Sequence, residues 1–590
     1  MGIKGLMRWL KFNIKPAFIH RNIRIDTLFI DSKQLYFKSL EKADESHVIP
    51  IFLDQIKWVI THFTPTETLF LAMDGPNPAA KFQTQRQRKF QMDYISDFSY
   101  PEKPFDMLSK EQYAEITNKS LEEFLKDFIN QPNIKTKRFL FSSGFAPGES
   151  EHKYFSFFRE EKGSPNWKHN KNHFIYSNDN DLIFLSLQFT DENFYIVKSW
   201  EKDGKMINDV IDISEVRRYF LNLIYNPFGK GKRDSSQVIN NEKVINDIIA
   251  LSFLLGNDFI PPFPEIESID TQFFQKLLNS YVALNSGHNS NYKYLIENDS
   301  FSVQTLKEIV KIFFNENENQ NQNESNSNNE QQREQAQMIL KILNYTWIYY
   351  SHGVPSWTFY YPYLESPSLK LAVSLMTQEE KASFEYDEIV DPYLKALVIH
   401  PATSLSNIPW NIYRIKIPPS PIADKYWPLI KPDDKVPMFN LNEIMEYYKK
   451  ELATLSPEEL YLNRRDPPYF IYTKNKFLDV KPINKGKNQG QLQNQVQVQN
   501  QEQPQDKKED QSTKSIALFH TGPAPKQKKI QNILSSQFGK IKSIKTVTTT
   551  VVEFEQEEGA QSAASVQQIE VDGQVMQISP LSSNVSKIFT

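Results

Sequence analysis

The sequence lacks cysteine altogether and is poor in glycine. Its 590 residues include no Cys, which excludes disulfide scaffolds, thiolate zinc sites, iron–sulfur clusters and cysteine nucleophiles. Gly numbers only 18, which argues against collagen-like and Gly-rich repeat architectures. No apolar run approaches the ~20 residues that span a bilayer, and the basic N-terminal segment has no secretory-signal pattern. These absences predict a soluble intracellular protein that does not use a membrane.

The sequence also has no excess of positively charged residues. Lys and Arg number 68 against 72 Asp and Glu, and the net charge of −4 excludes a generally basic nucleic-acid coat. Aromatic residues are abundant: 42 Phe, 27 Tyr and 8 Trp are too many for a wholly disordered protein. The length leaves room for about two to four domains with a substantial core.

Short apolar runs alternate with amphipathic stretches through the first 270 residues. Runs of this kind are typical of buried strands, and their alternation with helices favours an α/β fold with a largely parallel sheet. The predicted strands are Thr27–Ile30, Thr68–Met73, Phe139–Phe141, Phe174–Tyr176 and Phe194–Val197, and the clearest predicted helices are Ile49–Phe63 and Leu121–Ile129.

Composition divides the chain into four regions. Residues 1–270 carry the α/β pattern, and residues 271–337 combine a helical connection with an Asn/Gln-rich flexible insertion. Residues 338–479 form a second region of ordered composition. Residues 480–590 are rich in Gln and Asn, so we expect a low-complexity, disordered tail.

Acidic residues follow several of the predicted strands directly. Asp31, Asp74 and the pair Asp179 and Asp181 stand at strand ends, where ligands bind in open α/β sheets. Glu149 and Glu151 in PGESEHK and Asp258 in LLGNDFIPPFP complete a set of seven acids.

Carboxylates gathered at one sheet edge repel one another unless a cation lies among them. Hard oxygen ligands without Cys point to Mg²⁺ or Mn²⁺ rather than zinc. The alternative for each acid taken singly is an ordinary turn or helix-capping role.

A basic stretch begins shortly after Asp74, in DGPNPAAKFQTQRQRKF. If a helix starts at Ala79, the side chains of Lys81, Gln85, Arg88 and Lys89 share one face. A guanidinium fork, ammonium groups and an amide suit a terminal phosphate. The alternative is a solvated helix face with no ligand.

Together these motifs resemble the XRN family of 5′→3′ exoribonucleases, in order and at comparable intervals. DGPNPAAKFQTQRQRKF, PGESEHK, YSNDNDLI and LLGNDFIPPFP carry the resemblance, and YYSHGVPSWTFYYPY is similar to the family's second conserved region. The resemblance extends from Met1 to roughly residue 475. It implies a PIN/flap-nuclease-like, mostly parallel sheet with helices on both faces, a mainly helical second conserved region and a disordered tail.

The resemblance also implies roles for particular residues. The seven acids match the family's catalytic, metal-binding acids for two Mg²⁺ ions, with Mn²⁺ as a substitute. Basic and amide side chains match its pocket for a 5′-monophosphate, and two aromatic residues match positions past which unstacked bases thread. The substrate-binding residues implied are Lys81, Gln85, Arg86, Arg88, Lys89, Phe37 and Trp357. Lys33 stands where the family has Asn, Phe37 where it has His, and Lys89 where it has Arg.

The sequence thus predicts a processive exoribonuclease that degrades single-stranded RNA with a 5′-monophosphate to nucleoside 5′-monophosphates. We expect a monomeric catalytic unit that resembles the shorter, nuclear type of the family, with the cytoplasm as the alternative location. Two other functions stay open at this point: a flap-type nuclease acting on DNA structures, and a weakly active RNA-binding scaffold. Protein partners are not predicted.

Overall fold

A nine-stranded sheet runs through the first of two units in the computed structural model of the protein. The two units are Met1–Asn484 and Lys485–Thr590. The structure describes residues 6–19, 23–42, 45–99, 110–165, 167–202, 205–227, 239–265, 271–286, 292–315, 330–378, 383–385, 387–402, 408–428, 430, 434–474, 476–478, 515–519, 541–546, 550–554, 568–571 and 574–581. Over these residues, no helix combines the length and the apolar character needed to cross a membrane.

The strands of the first unit form one large sheet and one small hairpin. In chain order they are β1 (Phe18–Ile19), β2 (Thr27–Asp31), β3 (Thr68–Ala72), β4 (Arg138–Ser142), β5 (Asn172–Tyr176), β6 (Asn193–Lys202), β7 (Lys205–Asp212), β8 (Ile296–Glu297), β9 (Ser300–Phe301), β10 (Phe470–Thr473) and β11 (Lys476–Leu478). The large sheet has the order β1-β7-β6-β5-β2-β3-β4-β10-β11, and β8 pairs with β9.

The centre of the large sheet is parallel, as the sequence predicts. Strands β6, β5, β2, β3 and β4 pair in parallel, with Thr27 of β2 opposite both Thr68 and His173. The outer strands β1, β7, β10 and β11 are antiparallel to their neighbours. Each predicted strand falls within one of β2 to β6, apart from a one-residue difference at the end of β3, so the predicted α/β class is confirmed.

Helices surround the sheet and fill the rest of the unit. They are α1 (Leu6–Asn13), α2 (Ser32–Lys42), α3 (Glu45–Phe63), α4 (Phe82–Ser99), α5 (Lys110–Ile129), α6 (Ser150–Lys162), α7 (Asp181–Leu187), α8 (Ile213–Tyr225), α9 (Asn241–Phe253), α10 (Thr271–Leu284), α11 (Val303–Phe313), α12 (Glu330–Ser351), α13 (Leu369–Leu375), α14 (Pro392–Ile399), α15 (Trp410–Tyr413), α16 (Ala423–Tyr426), α17 (Leu441–Leu452) and α18 (Pro457–Tyr461). Short 3-10 turns cover Lys15–Ala17, Ala79–Lys81 and Arg414–Lys416.

Alternate residues of the central strands face two different cores, because successive side chains of a strand point to opposite faces. Phe29 of β2 stacks on Tyr154 of α6, with ring centroids 4.6 Å apart. Its neighbours Leu28 and Ile30 pack instead in a cluster that includes Phe52 of α3 and helix α5. Both faces of the sheet are therefore covered by helices, which explains why its strands are continuous apolar runs.

The second region (residues 338–479) contacts the first region (residues 1–270) in two places. Strand β10 adds to the edge of the large sheet beside β4, so residues near 470 belong to the same sheet as Asp31. The apolar side chains Phe82 and Phe90 of α4 form one core with Leu394 and Trp427. The boundaries that composition suggests at 270 and 337 stay a prediction.

The Asn/Gln-rich insertion and the tail are only partly described. Residues 316–329 of the insertion lie outside the described residues, and α12 already begins at Glu330. In the second unit, β12 (Ser515–Phe519), β13 (Ile541–Thr546), β14 (Thr550–Phe554), β15 (Gln568–Val571) and β16 (Gln574–Leu581) form an antiparallel sheet in the order β13-β14-β12-β16-β15. The structure thus differs from the expected disordered tail over these strands, which contain β-branched runs such as Thr550–Val552 that favour pairing.

Arg86 lies on the side of α4 that faces away from the predicted phosphate-binding residues. Its side chain is fully buried, and its guanidinium donates hydrogen bonds to the backbone carbonyls of Val398 and Tyr426. It also lies over the ring of Phe90, 5.0 Å from the centroid. The predicted substrate contact is therefore corrected: Arg86 joins α4 to α14 and α16, because the helix period turns it away from Lys81, Gln85 and Arg88.

We expect Arg86→Ala to lower the free energy of unfolding by about 3 kcal/mol, because it leaves a cavity and two buried carbonyls without donors. Urea denaturation followed by circular dichroism measures this loss. Gln87→Ala, a change at a half-buried neighbour on the same helix, is the matched control. An Arg86→Ala variant as stable as the control would contradict the assigned role.

Candidate active site

Acidic side chains meet at the carboxyl ends of the parallel strands. Asp31 is the last residue of β2, Asp74 follows β3, and Asp179 follows β5. The order of strands reverses at β2, which has β3 on one side and β5 on the other. Such a switch point opens a crevice beyond the strand ends, where ligands bind in open α/β sheets.

Ser150, at the start of α6, connects three of the acids. Its hydroxyl lies 3.0 Å from Asp31 Oδ1 and 3.2 Å from Glu151 Oε2. Its backbone N–H donates to Asp74 Oδ1 at 3.0 Å. Helix α6 thus begins inside the crevice and fixes carboxylates from β2, from the end of β3 and from its own first turn.

The loop after β5 adds two more acids through a second serine. Ser177 donates its hydroxyl to Asp31 Oδ2 at 2.8 Å and accepts the backbone N–H of Asp179 at 3.1 Å. Asp179 Oδ1 in turn accepts the backbone N–H of Asp181, the first residue of α7, at 3.1 Å. The double acid of YSNDND is therefore tied to the acid of β2.

Lys81 connects the remaining two acids. Its ammonium pairs with Glu149 and lies 3.8 Å from Asp258 Oδ2. The hydroxyl of Tyr349 donates to the same Glu149 oxygen at 2.8 Å. Ligand atoms of Glu149 and Glu151 lie within 4.8 Å of each other, so all seven predicted acids lie in one network, and their roles in metal binding stay a prediction.

Burial and mutual repulsion raise the pKa of several acids in this network. Burial, and then the Asp74 charge, raise the pKa of Asp31 to about 6. Burial, and then Asp179, raise the pKa of Asp181 to about 7. Burial, and then Glu149, raise the pKa of Glu151 well above its ordinary value. These directions mark a site where negative charge accumulates and where a bound cation is favoured.

The pKa values of two other acids, Asp74 and Asp258, are lowered by neighbouring cationic side chains. Burial alone would raise the pKa of Asp74, but Lys33, whose Nζ lies 2.5 Å from Asp74 Oδ2, lowers it. Burial would also raise the pKa of Asp258, but nearby cations, Lys81 first and Arg88 at 2.8 Å among them, together lower it to about 2.

The donor set fits a hard divalent cation. Glu149, Glu151 and His152 each offer a ligand atom, and these atoms lie within 4.8 Å of one another. Burial, and then Lys81, lower the pKa of His152 well below its ordinary value, so its imidazole is neutral as a ligand must be. Its Nδ1 is buried without a hydrogen-bond partner in the described structure, which is consistent with a ligand position.

The basic residues differ in how deeply they are buried in the network. The side chain of Lys81 is only 5% exposed and lies over the rings of Phe259 and Tyr349. That of Arg88 is 38% exposed. Gln85 and Lys89 are half-buried on α4, and the Oε1 atom of Gln85 has no hydrogen-bond partner in the described structure.

The two predicted base-stacking residues occupy different settings. Phe37 is 50% exposed on α2, the helix that follows Asp31. Trp357 is half-buried, and its carbonyl accepts the backbone N–H of Ala79, at the start of the basic stretch, at 2.8 Å. Asp387 holds the Trp357 segment by accepting from its backbone N–H at 2.6 Å and from Ser356 and Thr358.

Three supporting residues, Ser150, Ser177 and Tyr349, are not evident from the sequence. Ser150 and Ser177 are short polar residues within two positions of an acid, and this spacing is the only signal that could have pointed to them. Lys153, which the sequence suggests as a positioning group, donates to the carbonyls of Met73 and Ser143, at 2.7 and 2.8 Å, and so ties together the loops after β3 and β4. Burial lowers the pKa of Lys153 to about 7. Tyr349 comes from α12, about 200 residues from its partner Glu149, a distance no local pattern can bridge.

Two family models match the chain. One, described as the XRN 5′-3′ exonuclease N-terminus, matches residues 1–200. The other, described as the Xrn1 helical domain, matches residues 238–346. The first matched region contains six of the seven acids and the basic stretch, and the second contains Asp258.

Each of three curated relatives covers a little under half of the chain. The 5′-3′ exoribonuclease 1 of Schizosaccharomyces pombe is 26% identical over an alignment of 298 residues that covers 45% of this chain and 22% of that protein. The human 5′-3′ exoribonuclease 1 is 27% identical over an alignment of 319 residues that covers 48% of this chain and 19% of that protein. The 5′-3′ exoribonuclease 2 of Debaryomyces hansenii is 24% identical over an alignment of 350 residues that covers 46% of this chain and 34% of that protein. The match therefore spans about a third or less of each of these relatives.

Among solved structures, the catalytic core of Rad2 in complex with a DNA substrate overlaps at a TM-score of 0.28 and 13% identity. The overlap covers 48% of this chain and 69% of that one, and a TM-score this low does not support a shared fold. The two family matches, in contrast, follow one another along the chain and together span more than half of its residues. The chain therefore belongs to the XRN family.

Proposed function

We propose that the protein is a processive 5′→3′ exoribonuclease that removes nucleotides one at a time from single-stranded RNA with a 5′-monophosphate. The observation that carries the proposal is the network of seven acids joined at its rim to Arg88, because carboxylates suit divalent cations and a guanidinium suits a phosphate. Membership of the XRN family and the names of the curated relatives support the RNA substrate and the direction.

The acids would hold two Mg²⁺ ions, for which Mn²⁺ can substitute. Carboxylate oxygens are the ligands that Mg²⁺ prefers, and the described network supplies them from the end of β2, the loops after β3 and β5, and the start of α6. When bound, such ions activate water for attack on phosphorus and stabilise the charge on the leaving 3′ oxygen. The product is a nucleoside 5′-monophosphate, and the shortened RNA carries a new 5′-phosphate.

The basic residues of α4 receive the terminal phosphate in this proposal. Arg88 offers a planar fork at the rim, and Gln85 and Lys89 lie on the same helix. Lys81 is too deeply buried to lead the contact, so it neutralises Glu149 and Asp258 behind the phosphate. A terminal phosphate carries more negative charge than an internal phosphodiester, which favours chain ends over internal sites.

Aromatic and positioning residues complete the proposal. An exposed ring at Phe37 provides a stacking surface for a base, at ~1–3 kcal/mol per stacked base. Trp357 is placed beside the start of the basic stretch by its hydrogen bond to Ala79 and would stack on a second base. Lys153 keeps the loops after β3 and β4 together, so it orients the Asp74 carboxylate rather than carrying a proton. The monomeric catalytic unit, the nuclear location and the participation in RNA turnover or processing stay predictions.

Competition between substrates separates the proposal from its alternatives. We expect 5′-monophosphorylated single-stranded RNA to be degraded in Mg²⁺ and a DNA flap of equal length to be left largely intact. Faster cleavage of the flap would favour a flap-type DNA nuclease. RNA binding without any cleavage would favour an RNA-binding scaffold.

Asp179→Ala should reduce RNA turnover on the order of a hundredfold or more, because second-sphere changes at metal sites already cost ~10–100-fold. RNA binding measured by filter retention should change little. The matched control is Asp191→Ala, which removes a 45% exposed acid just before β6. This acid lies near the amino ends of the parallel strands, whereas the acids of the site lie at their carboxyl ends. Turnover by Asp179→Ala equal to that by the control would remove Asp179 from the site.

Arg88→Ala should slow the degradation of 5′-monophosphorylated RNA about tenfold more than that of 5′-hydroxyl RNA, since only the former has a terminal phosphate for the guanidinium to bind. Single-turnover rates on the two RNAs give this ratio. Gln87→Ala on the same helix should leave the ratio unchanged. Equal losses on both RNAs would contradict the phosphate pocket.

A further inference from the structure

We propose that Lys33 is a built-in competitor of the divalent cation: its ammonium occupies Asp74, and a cation binds there only by displacing it. The inference rests on the proposed function in one respect, that a divalent cation binds at Asp74. It adds that this chain loads its cation more weakly than the same site without the Lys33 ammonium.

The contacts of Asp74 leave no carboxylate oxygen without a donor. Ser150 donates its backbone N–H to Oδ1 at 3.0 Å, and Lys33 Nζ lies 2.5 Å from Oδ2. The carboxylate itself is 18% exposed. In this proposal, a cation that coordinates Oδ2 replaces the ammonium.

Lys33 contacts two acids of the site. Its ammonium pairs with Asp74, and its backbone N–H donates to Asp31 Oδ1 at 3.3 Å. While the ammonium stays at Asp74, its positive charge opposes the entry of a second positive charge by Coulomb repulsion.

Lys33 can leave the site, whereas Lys81 cannot. The Lys33 side chain is 51% exposed at the start of α2, on a flexible four-carbon stem. That of Lys81 is 5% exposed and enclosed by Glu149, Phe259 and Tyr349. Lys33 therefore makes binding of the cation competitive and does not block it.

Cation binding by the full chain tests the inference without any measurement of activity. We expect Lys33→Gln to lower the Kd for Mn²⁺, measured by isothermal titration calorimetry, by about tenfold relative to the natural chain. Lys33→Arg, which keeps the charge, should bind like the natural chain. The matched control is Lys38→Gln on the same helix, where Lys38 Nζ reaches the carbonyl of Ser199 at 3.5 Å. A Kd of Lys33→Gln within twofold of that of the natural chain would overturn the proposal.

A second measurement uses the natural chain alone and does not depend on the folding of a variant. Acetylation by acetic anhydride, followed by mass spectrometry, reports how accessible each lysine amine is. Added Mn²⁺ should raise the acetylation rate of Lys33 several-fold and leave that of Lys38 unchanged. An unchanged rate at Lys33 under Mn²⁺ concentrations that saturate the calorimetric signal would contradict displacement.

The proposed nuclease function and the proposed competition at Asp74 can be contradicted independently of each other. Degradation of RNA together with equal Mn²⁺ affinity of the natural chain and Lys33→Gln overturns the competition and leaves the nuclease. Tighter Mn²⁺ binding by Lys33→Gln without RNA degradation supports the competition and removes the nuclease.

Discussion

Repulsion between buried carboxylates is the constraint on which the site depends. Asp31, Glu151 and Asp181 all have raised pKa values because burial and neighbouring acids disfavour their charged forms. The fold offsets this cost locally, with two serine hydroxyls and with ammonium groups. A network held in this way has a strong electrostatic preference for added positive charge, which a divalent cation supplies more compactly than a lysine.

The geometry of the sheet brings these carboxylates close together. Five parallel strands end at one edge, so the chain after each of three strands delivers an acid to the same crevice. Helices pack on both faces of the sheet, and Asp31, Glu149 and Glu151 are themselves buried, so their charges interact strongly. Helix α12 closes the crevice from the second region by placing Tyr349 against Glu149. The second region therefore contributes to the site as well as to the core.

The sequence anticipates the parallel centre of the sheet and the position of Asp31, Asp74 and Asp179 at strand ends, because apolar runs followed by acids are local patterns. The metal-binding roles of the seven acids stay a prediction. The sequence places Arg86 wrongly, since the side of a helix that faces a distant segment depends on contacts with Val398 and Tyr426 that no local pattern contains. It also misses Ser150, Tyr349 and the added strand β10 for the same reason. The departure at Lys33 is visible in the sequence, but its consequence depends on a distance to Asp74 that only the folded chain provides.

The central claim is that this acidic edge hydrolyses RNA from its 5′ end with divalent cations. Digestion of one RNA labelled separately at its 5′ and 3′ ends, with Mg²⁺ or with EDTA, tests that claim most directly. The account predicts that Mg²⁺ releases the 5′ label at once as a mononucleotide, that the 3′ label remains in long RNA until late, and that EDTA stops both. Early release of the 3′ label, internal fragments, or unchanged digestion in EDTA would contradict it.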